Sequence, residues 1–314
     1  MLLRVNAIHD ETGAIKSFEL VDPEGLDLPQ FTAGSHVDVT LPDGQVRQYS
    51  LCNAPAGRQR YVLGVLREPS GRGGSRQMHE QVQQGDLLQV SIPRNHFPLG
   101  EAAARHVLIA GGIGITPLLS MVARLRLINA DFVLHYCTRD EDNTAFRTLL
   151  SEPGLGAQVR FHHDGGVPGR GLEIAALLAP VETGAHVYCC GPPGLMAAVK
   201  DASTHWPPEQ IHFEHFAAPV DAAPTGALVS FEVEIASSGA VYLVPPDRSI
   251  LSVLQSEGIV IDSSCEAGVC GTCMTRYLSG TPDHRDFVLS DAEQCDHVMV
   301  CVARAKSARL VLDL

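Results

Sequence analysis

The chain has 314 residues, 45% hydrophobic and 19% charged, and its 36 acidic and 23 basic side chains leave a formal net charge of −13. That length makes two or three domains, each able to bury a core of its own. The acid excess argues against nucleic acid or an anionic membrane surface as partner, and the absence of any long apolar run argues against a membrane span. The opening "MLLRVNAIHDETG" turns polar within a few residues and lacks the apolar stretch of a signal peptide, so a cytoplasmic protein is expected. Nine cysteines, an odd number, read as free thiols plus a metal site in a reducing compartment, not as a disulfide framework.

Residues 1–100 are expected to form a β-domain. "HVDVTLPDG", "RQYSLCN", "RYVLGVLRE" and "DLLQVSIPRNHFPL" are short alternating segments divided by Gly, Pro and Asp, the pattern of an antiparallel barrel or sandwich. Within it, "GRGGS" (Gly71–Ser75) frees successive backbone N–H groups to form an anion nest, with Gly73, Gly74 and Ser75 as candidate phosphate contacts. A plain surface loop is the alternative.

Residues 101–220 change pattern. "RHVLIAGG" is a short buried strand, "TPLLSMVARLRLI" has helical spacing, "DFVLHYCTRD" is a second strand, and "HVYCCGPPGLMAAVKDAS" repeats the order strand, turn, helix. That alternation predicts an α/β parallel-sheet domain. "GGIGITP" (Gly111–Pro117) joins strand to helix, with Gly112 and Gly114 placed to open backbone N–H groups to a pyrophosphate at the helix start. It departs from G-x-G-x-x-G, since Pro117 stands at the third glycine position. In "TRDEDN", Asp140, Glu141 and Asp142 follow Arg139 and should repel a 2′-phosphate, which predicts NADH over NADPH. His162 and His163 in "FHHDGG" have no metal-binding partner at useful spacing and read as a solvated strand end.

An Ala/Pro-rich stretch over 217–227 has no periodicity, and residues 221–227 are read as a linker. Residues 228–314 then offer a strand hairpin, a short amphipathic helix and a dense cysteine loop. Cys265, Cys270 and Cys273 read C-x4-C-x2-C, and Cys301 follows after 27 intervening residues. This is the plant-type [2Fe–2S] spacing. Two sulfide-bridged irons need four soft anionic ligands, and Ala267, Gly268, Gly271 and Thr272 are small enough to let N–H groups reach the sulfurs. Zinc also takes four cysteines, but the x4 spacing and the distant single Cys favour the cluster. Cys295, set among Asp and Gln, is the lesser candidate for fourth ligand.

These motifs together resemble, over essentially the whole chain, the phthalate dioxygenase reductase family, whose flavin, nicotinamide and ferredoxin domains follow in that order. The resemblance implies an antiparallel β-barrel flavin domain, an α/β nucleotide domain and an α+β ferredoxin-like (β-grasp) domain. "RQYS" (47–50) is similar to the R-x-Y-S signature of ferredoxin-reductase-type barrels. It implies Arg47 at the flavin phosphate, Tyr49 against the isoalloxazine and Ser50 hydrogen-bonded to the ring, with Val65 facing the ring through its backbone and FMN, not FAD, as the flavin. "GGIGITP" matches the family form in which Thr116 caps the helix near the nicotinamide. "CCGPPGLM" matches its C-G-P motif, implying Cys190 and Gly191 beside the ring and Pro192 at the helix start. Phe216 in "HFEHFAAP" matches the aromatic that covers this site. The implied activity carries electrons from NADH through FMN and the [2Fe–2S] cluster to a Rieske-type non-haem iron oxygenase, a hydroxylase or demethylase. No side chain is expected to act as acid or base. A cytochrome P450 or separate ferredoxin as acceptor, or a redox-responsive binding protein without turnover, are the alternatives.

Overall fold

The structure, a computed structural model, describes residues 1–69, 73–167, 169–216 and 229–314. Gly71 of the glycine stretch and the expected linker 221–227 lie outside the described residues. The chain divides into two units, Met1–Glu214 and His215–Leu314.

The first unit opens with six strands: β1 (Leu2–Asp10), β2 (Ile15–Val21), β3 (His36–Thr40), β4 (Val46–Ser50), β5 (Tyr61–Leu66) and β6 (Leu87–Val90). They pair antiparallel in the order β4-β3-β6-β1-β2-β5. A bridge between Leu51 and Leu63 joins the two outermost strands, so the sheet closes into a barrel and leaves no free edge. Alternate residues point inward: Leu3 and Val5, Phe18 and Leu20, Val37 and Val39, Tyr61, Leu63 and Val65 fill the interior. Helix α1 (Gly74–Glu80) plugs it with the fully buried Met78.

Then strands and helices alternate: β7 (Arg105–Gly111), α2 (Ile115–Leu127), β8 (Phe132–Thr138), α3 (Arg147–Leu150), β9 (Val159–His163), α4 (Ile174–Leu178), β10 (Ala185–Cys190), α5 (Pro193–Ala202) and β11 (Ile211–Glu214). All five strands are parallel, in the order β11-β10-β7-β8-β9. The chain winds outward from β7 to β9 and then restarts on the other side at β10. The crevice beyond the carboxyl ends of β7 and β10 is therefore the topological switch point, where such sheets bind ligands. Packing runs on from barrel to sheet: Ile15, Ala33 and Cys52 share a core with Leu108, Leu118, Met121 and Tyr188. The Gly34 N–H donates to Ser120 Oγ at 3.0 Å across the same seam.

His162 and His163 do end β9, His163 exposed and His162 half-buried, and both also have partners on β8. His162 Nε2 lies 3.0 Å from His135 Nδ1, with the rings stacked, and His163 Nδ1 lies 3.0 Å from Thr138 Oγ1. The parallel register sets Thr138 opposite His163, so the partners come from the neighbouring strand, 25 and 27 residues away in sequence.

The second unit holds β12 (Phe231–Ile235), β13 (Val241–Val244), α6 (Ile250–Ser256), β14 (Met274–Ser279), β15 (Pro282–Asp283), α7 (Asp291–Gln294), β16 (His297–Met299), β17 (Arg304–Ala305) and β18 (Arg309–Leu312). Its main sheet is mixed, in the order β13-β12-β18-β14-β16, with β12 and β18 parallel. Ser249 caps α6 by accepting the Ser252 N–H at 3.1 Å. The helix buries Ile250, Leu251, Val253 and Leu254 in one core with Phe231, Val233, Leu310 and Leu312. A helix laid on a mixed sheet gives the expected α+β unit.

Candidate functional site

The cysteine loop connects α6 to β14. Glu266, Gly268 and Gly271 take left-handed backbone angles, φ 52°, 70° and 74°, and coil the loop around its own N–H groups. The Ala267 N–H donates to Cys265 Sγ at 3.3 Å. The Phe287 N–H ties the loop down by donating to Gly268 O at 2.9 Å. A Cβ on Gly268 would stand 2.7 Å from Val302 Cγ2 and 3.1 Å from Asp286 Cα, so both conformation and space demand glycine there. Cys273 immediately precedes β14 and Cys301 follows β16 by two residues. The strands pair antiparallel with Met274 opposite Met299, and this ladder carries Cys301 back to the loop.

The four cysteines interact in pairs along a chain from Cys270 through Cys265 and Cys301 to Cys273. The Cys270 thiol contacts that of Cys265, and Cys301 contacts both Cys265 and Cys273. Cys265 holds the Cys270 thiol well above its ordinary range, and burial adds to this. Cys265 draws the Cys301 thiol down, but Cys273 and burial outweigh it and push it up to about 12. Thiolates crowded this way are disfavoured alone and become the stable form only beside cationic iron. Among the described residues no three His, Cys, Asp or Glu close round a single ion. A two-iron centre does not need that, since each iron takes two of the four thiolates, and the donor set fits one. Cys295 is exposed at the end of α7, where its Sγ contacts Asp291 O at 3.3 Å.

On the barrel, β4 carries Arg47, Tyr49 and Ser50. Arg47 Nη1 donates to Val46 O at 2.8 Å and Nη2 bonds the Gln45 side chain. Gly74 begins α1 directly against it: an added Cβ would lie 2.6 Å from Arg47 Nε. Arg76 Nη2 lies 3.9 Å from the equivalent point on Gly73. Two guanidinium groups beside a left-handed glycine at a helix start fit a phosphate, and Arg76 is a residue the sequence reading missed. Ser75 is occupied locally, its Oγ accepting the Glu68 N–H at 3.0 Å. Tyr49 packs against the barrel core, and burial raises its phenol, with Arg47 opposing. Val65 is buried in β5, and its carbonyl lies 2.8 Å from His79 Nε2.

At the switch point the two glycine motifs touch. A Cβ on Gly114 would fall 2.2 Å from Cys190 O and 2.7 Å from Gly191 N, and one on Gly191 would be 2.9 Å from Gly111 Cα. Glycines let two backbone segments meet where a dinucleotide would lie across them. Thr116 does not cap α2. Gly114 holds the cap position, and Thr116, inside the first turn, donates its hydroxyl to Ile113 O at 2.9 Å. The short 3₁₀ turn over Gly112–Gly114 starts the helix earlier than the sequence suggests and moves the cap upstream. Pro192 caps α5 with an extended backbone. After β8, Asp140 Oδ1 accepts from Asn143 N at 2.9 Å and Nδ2 at 2.7 Å; the Asn143 side chain, then its backbone, holds the carboxyl below its usual range. Arg147 pairs with Glu141 at 2.9 Å beside it. Phe216, two residues beyond β11, is 47% exposed.

Glu214 is a second residue the sequence reading missed. It ends β11 opposite Cys190 in the parallel register. Burial pushes its carboxyl up to about 8, while a hydrogen bond with Ser50 draws it down. Its Oε2 is buried without a partner among the described residues. The carboxyl thus lies between Ser50, a candidate flavin residue, and Cys190, a candidate nicotinamide residue. The only sequence signal was a charge at the end of the apolar strand "IHFE".

Comparison with known proteins agrees with this architecture. The profile of the 2Fe-2S iron-sulfur cluster binding domain matches residues 233–306. The vanillate O-demethylase oxidoreductase of Pseudomonas sp. (strain HR199 / DSM 7063) is 48% identical over 305 residues, 96% of this chain and 95% of that protein. The phthalate dioxygenase reductase of Burkholderia cepacia is 46% identical over 301 residues, 96% of this chain and 93% of that one. A solved structure of phthalate dioxygenase reductase, described as a modular structure for electron transfer from pyridine nucleotides to [2Fe-2S], superposes with a TM-score of 0.75 at 44% identity, covering 100% of this chain and 98% of that chain. With its closed barrel, parallel nucleotide sheet and cysteine-bearing α+β unit, and with this identity along its whole length, the chain belongs to the phthalate dioxygenase reductase family.

Proposed function

We propose that this chain is the NADH-dependent reductase of a Rieske-type non-haem iron oxygenase that hydroxylates or demethylates a small molecule, working in the cytoplasm. The observation that carries the reading is the linkage of four cysteines, pair by pair, from a nine-residue loop and a distant strand end. When bound, NADH supplies two electrons as a hydride, FMN divides the pair, and the [2Fe–2S] cluster passes electrons singly. The chain's own residues bind, orient and shield these groups. Cys265, Cys270, Cys273 and Cys301 hold the irons. Arg47, Arg76 and the backbone of Gly73 and Gly74 hold the flavin phosphate, and Tyr49, Ser50 and Val65 line the ring. Gly112, Gly114, Gly191 and Pro192 cradle the dinucleotide, and Thr116 and Cys190 face the nicotinamide. Asp140 turns away a 2′-phosphate. Glu214 keeps a proton on its carboxyl beside Ser50.

The functional domains are assigned as 1–100 for FMN, 101–220 for NADH and 228–314 for the cluster. None of the nine cysteines is in a disulfide in the described structure, which suits a reducing compartment. No helix among the described residues is long and apolar enough to cross a membrane. Residues 228–314 contain 12 acidic and 6 basic side chains, a net −6 that suits a basic docking patch on the oxygenase. An anaerobic titration with NADH, followed by absorbance, tests the reading. Flavin and cluster bands should both bleach, the released flavin should be FMN, and NADPH should give the lower kcat/KM. A colourless protein, or one inert to NADH, would contradict it.

A further inference from the structure

Phe146 is a bulky residue in a left-handed conformation, φ 57° and ψ 21°, immediately before α3. Such a backbone is strained for an aromatic residue and persists only where its surroundings hold it. Its N–H donates to Glu11 Oε2 at 3.1 Å, across 135 residues of sequence. Glu11 leaves β1, and its other oxygen accepts from Ser17 Oγ at 2.7 Å on β2. One carboxylate thus ties a barrel hairpin to the nucleotide-sheet half of the same unit.

The Phe146 ring is buried, and its edge reaches the barrel strand β5. Its Cζ and Cε2 lie 3.2 and 3.3 Å from where a Cβ on Gly64 would stand, and Thr116 Cγ2 lies 2.6 Å from that point. Gly64 is also the register partner of Ser17. Glu11, Ser17, Gly64 and Phe146 are therefore linked in turn, and Thr116 and the Phe146 ring approach the same point over Gly64. Val65, adjacent to Gly64, and Thr116 are the residues assigned above to the flavin and the nicotinamide.

We infer that Glu11 and Phe146 are positioning residues for electron entry: the Glu11 carboxylate holds the left-handed Phe146, whose ring fixes the spacing between Thr116 and the strand that carries Gly64 and Val65. This rests on the roles proposed above for Thr116 and Val65. Neither residue touches a reacting atom; both act through Thr116. Where two reacting groups must be held at close range, a misplacement of about 1 Å costs on the order of 100-fold in rate.

The test compares the holoprotein with Glu11→Ala, Glu11→Gln and Gly64→Ala. Three quantities are read: the rate of flavin bleaching at saturating NADH, the NADH concentration giving half that rate, and hydrogen exchange at the Phe146 amide. Glutamine can accept the Phe146 N–H and donate to Ser17, so Glu11→Gln should keep the wild-type rate and a protected amide. Glu11→Ala should expose the amide and slow bleaching by about 10- to 100-fold, with the half-saturating concentration unchanged. Gly64→Ala, which drives a methyl group into Thr116, should also slow bleaching. A wild-type rate in Glu11→Ala, or equal slowing in Glu11→Gln, overturns the inference. If Glu11→Ala does not fold, a wild-type rate in Gly64→Ala overturns it instead. If the wild type itself is inert to NADH, the proposed function fails, and amide exchange still decides whether Glu11 holds the turn.

Discussion

The Glu214 carboxyl, raised to about 8 by burial from an ordinary value of 4.5, takes up a proton on folding between those two limits. Its contribution to stability is full below pH 4.5 and is lost as pH rises through about 8. Glu214→Gln removes that dependence. The variant's unfolding midpoint should gain on the wild type between about pH 5 and pH 8.5. Parallel pH profiles for the two proteins would contradict the assignment. Arg47→Ala should weaken flavin retention, measured as flavin released on dilution, because it removes one of two guanidinium groups at the start of α1. Residues of this kind were unequally visible in the sequence. The cysteine spacing was legible because C-x4-C-x2-C encodes its chemistry locally. Glu214, Arg76 and Glu11 were not, since each is defined by a partner brought close by the fold: Ser50, Gly73 and Phe146.

Elements were the more legible scale. Period-two alternation announced the barrel strands, and the alternation of buried strands with apolar-striped helices announced the parallel sheet. The exact start of α2 was hidden, because the 3₁₀ turn over Gly112–Gly114 hands the cap to Gly114 and leaves Thr116 inside the helix. The pairing of His162 with His135 was hidden for a related reason, as only strand register reveals it. The cysteine loop makes a sharp prediction of its own. Gly268→Ala puts a Cβ on a left-handed residue, at about 1–3 kcal/mol, and drives it into Val302 and Asp286. The variant should retain flavin but lose iron and melt its second unit earlier. Unchanged iron content would show that the loop does not depend on this approach.

At the scale of the whole molecule, the cysteine placement and the family membership support one role, the delivery of single electrons to a protein partner. The net −6 on residues 228–314 predicts that turnover with the oxygenase falls as ionic strength rises, because screening weakens attraction between exposed charges. A flat dependence from low to high salt would remove electrostatic docking from the account. The most direct measurement of the central claim is iron and labile-sulfide content, with low-temperature electron paramagnetic resonance after NADH reduction, in wild type, Cys301→Ser and Cys295→Ser. The account predicts a reduced two-iron signal in the wild type and in Cys295→Ser, and its loss together with the iron in Cys301→Ser. A full signal in Cys301→Ser, or its loss in Cys295→Ser alone, would contradict it.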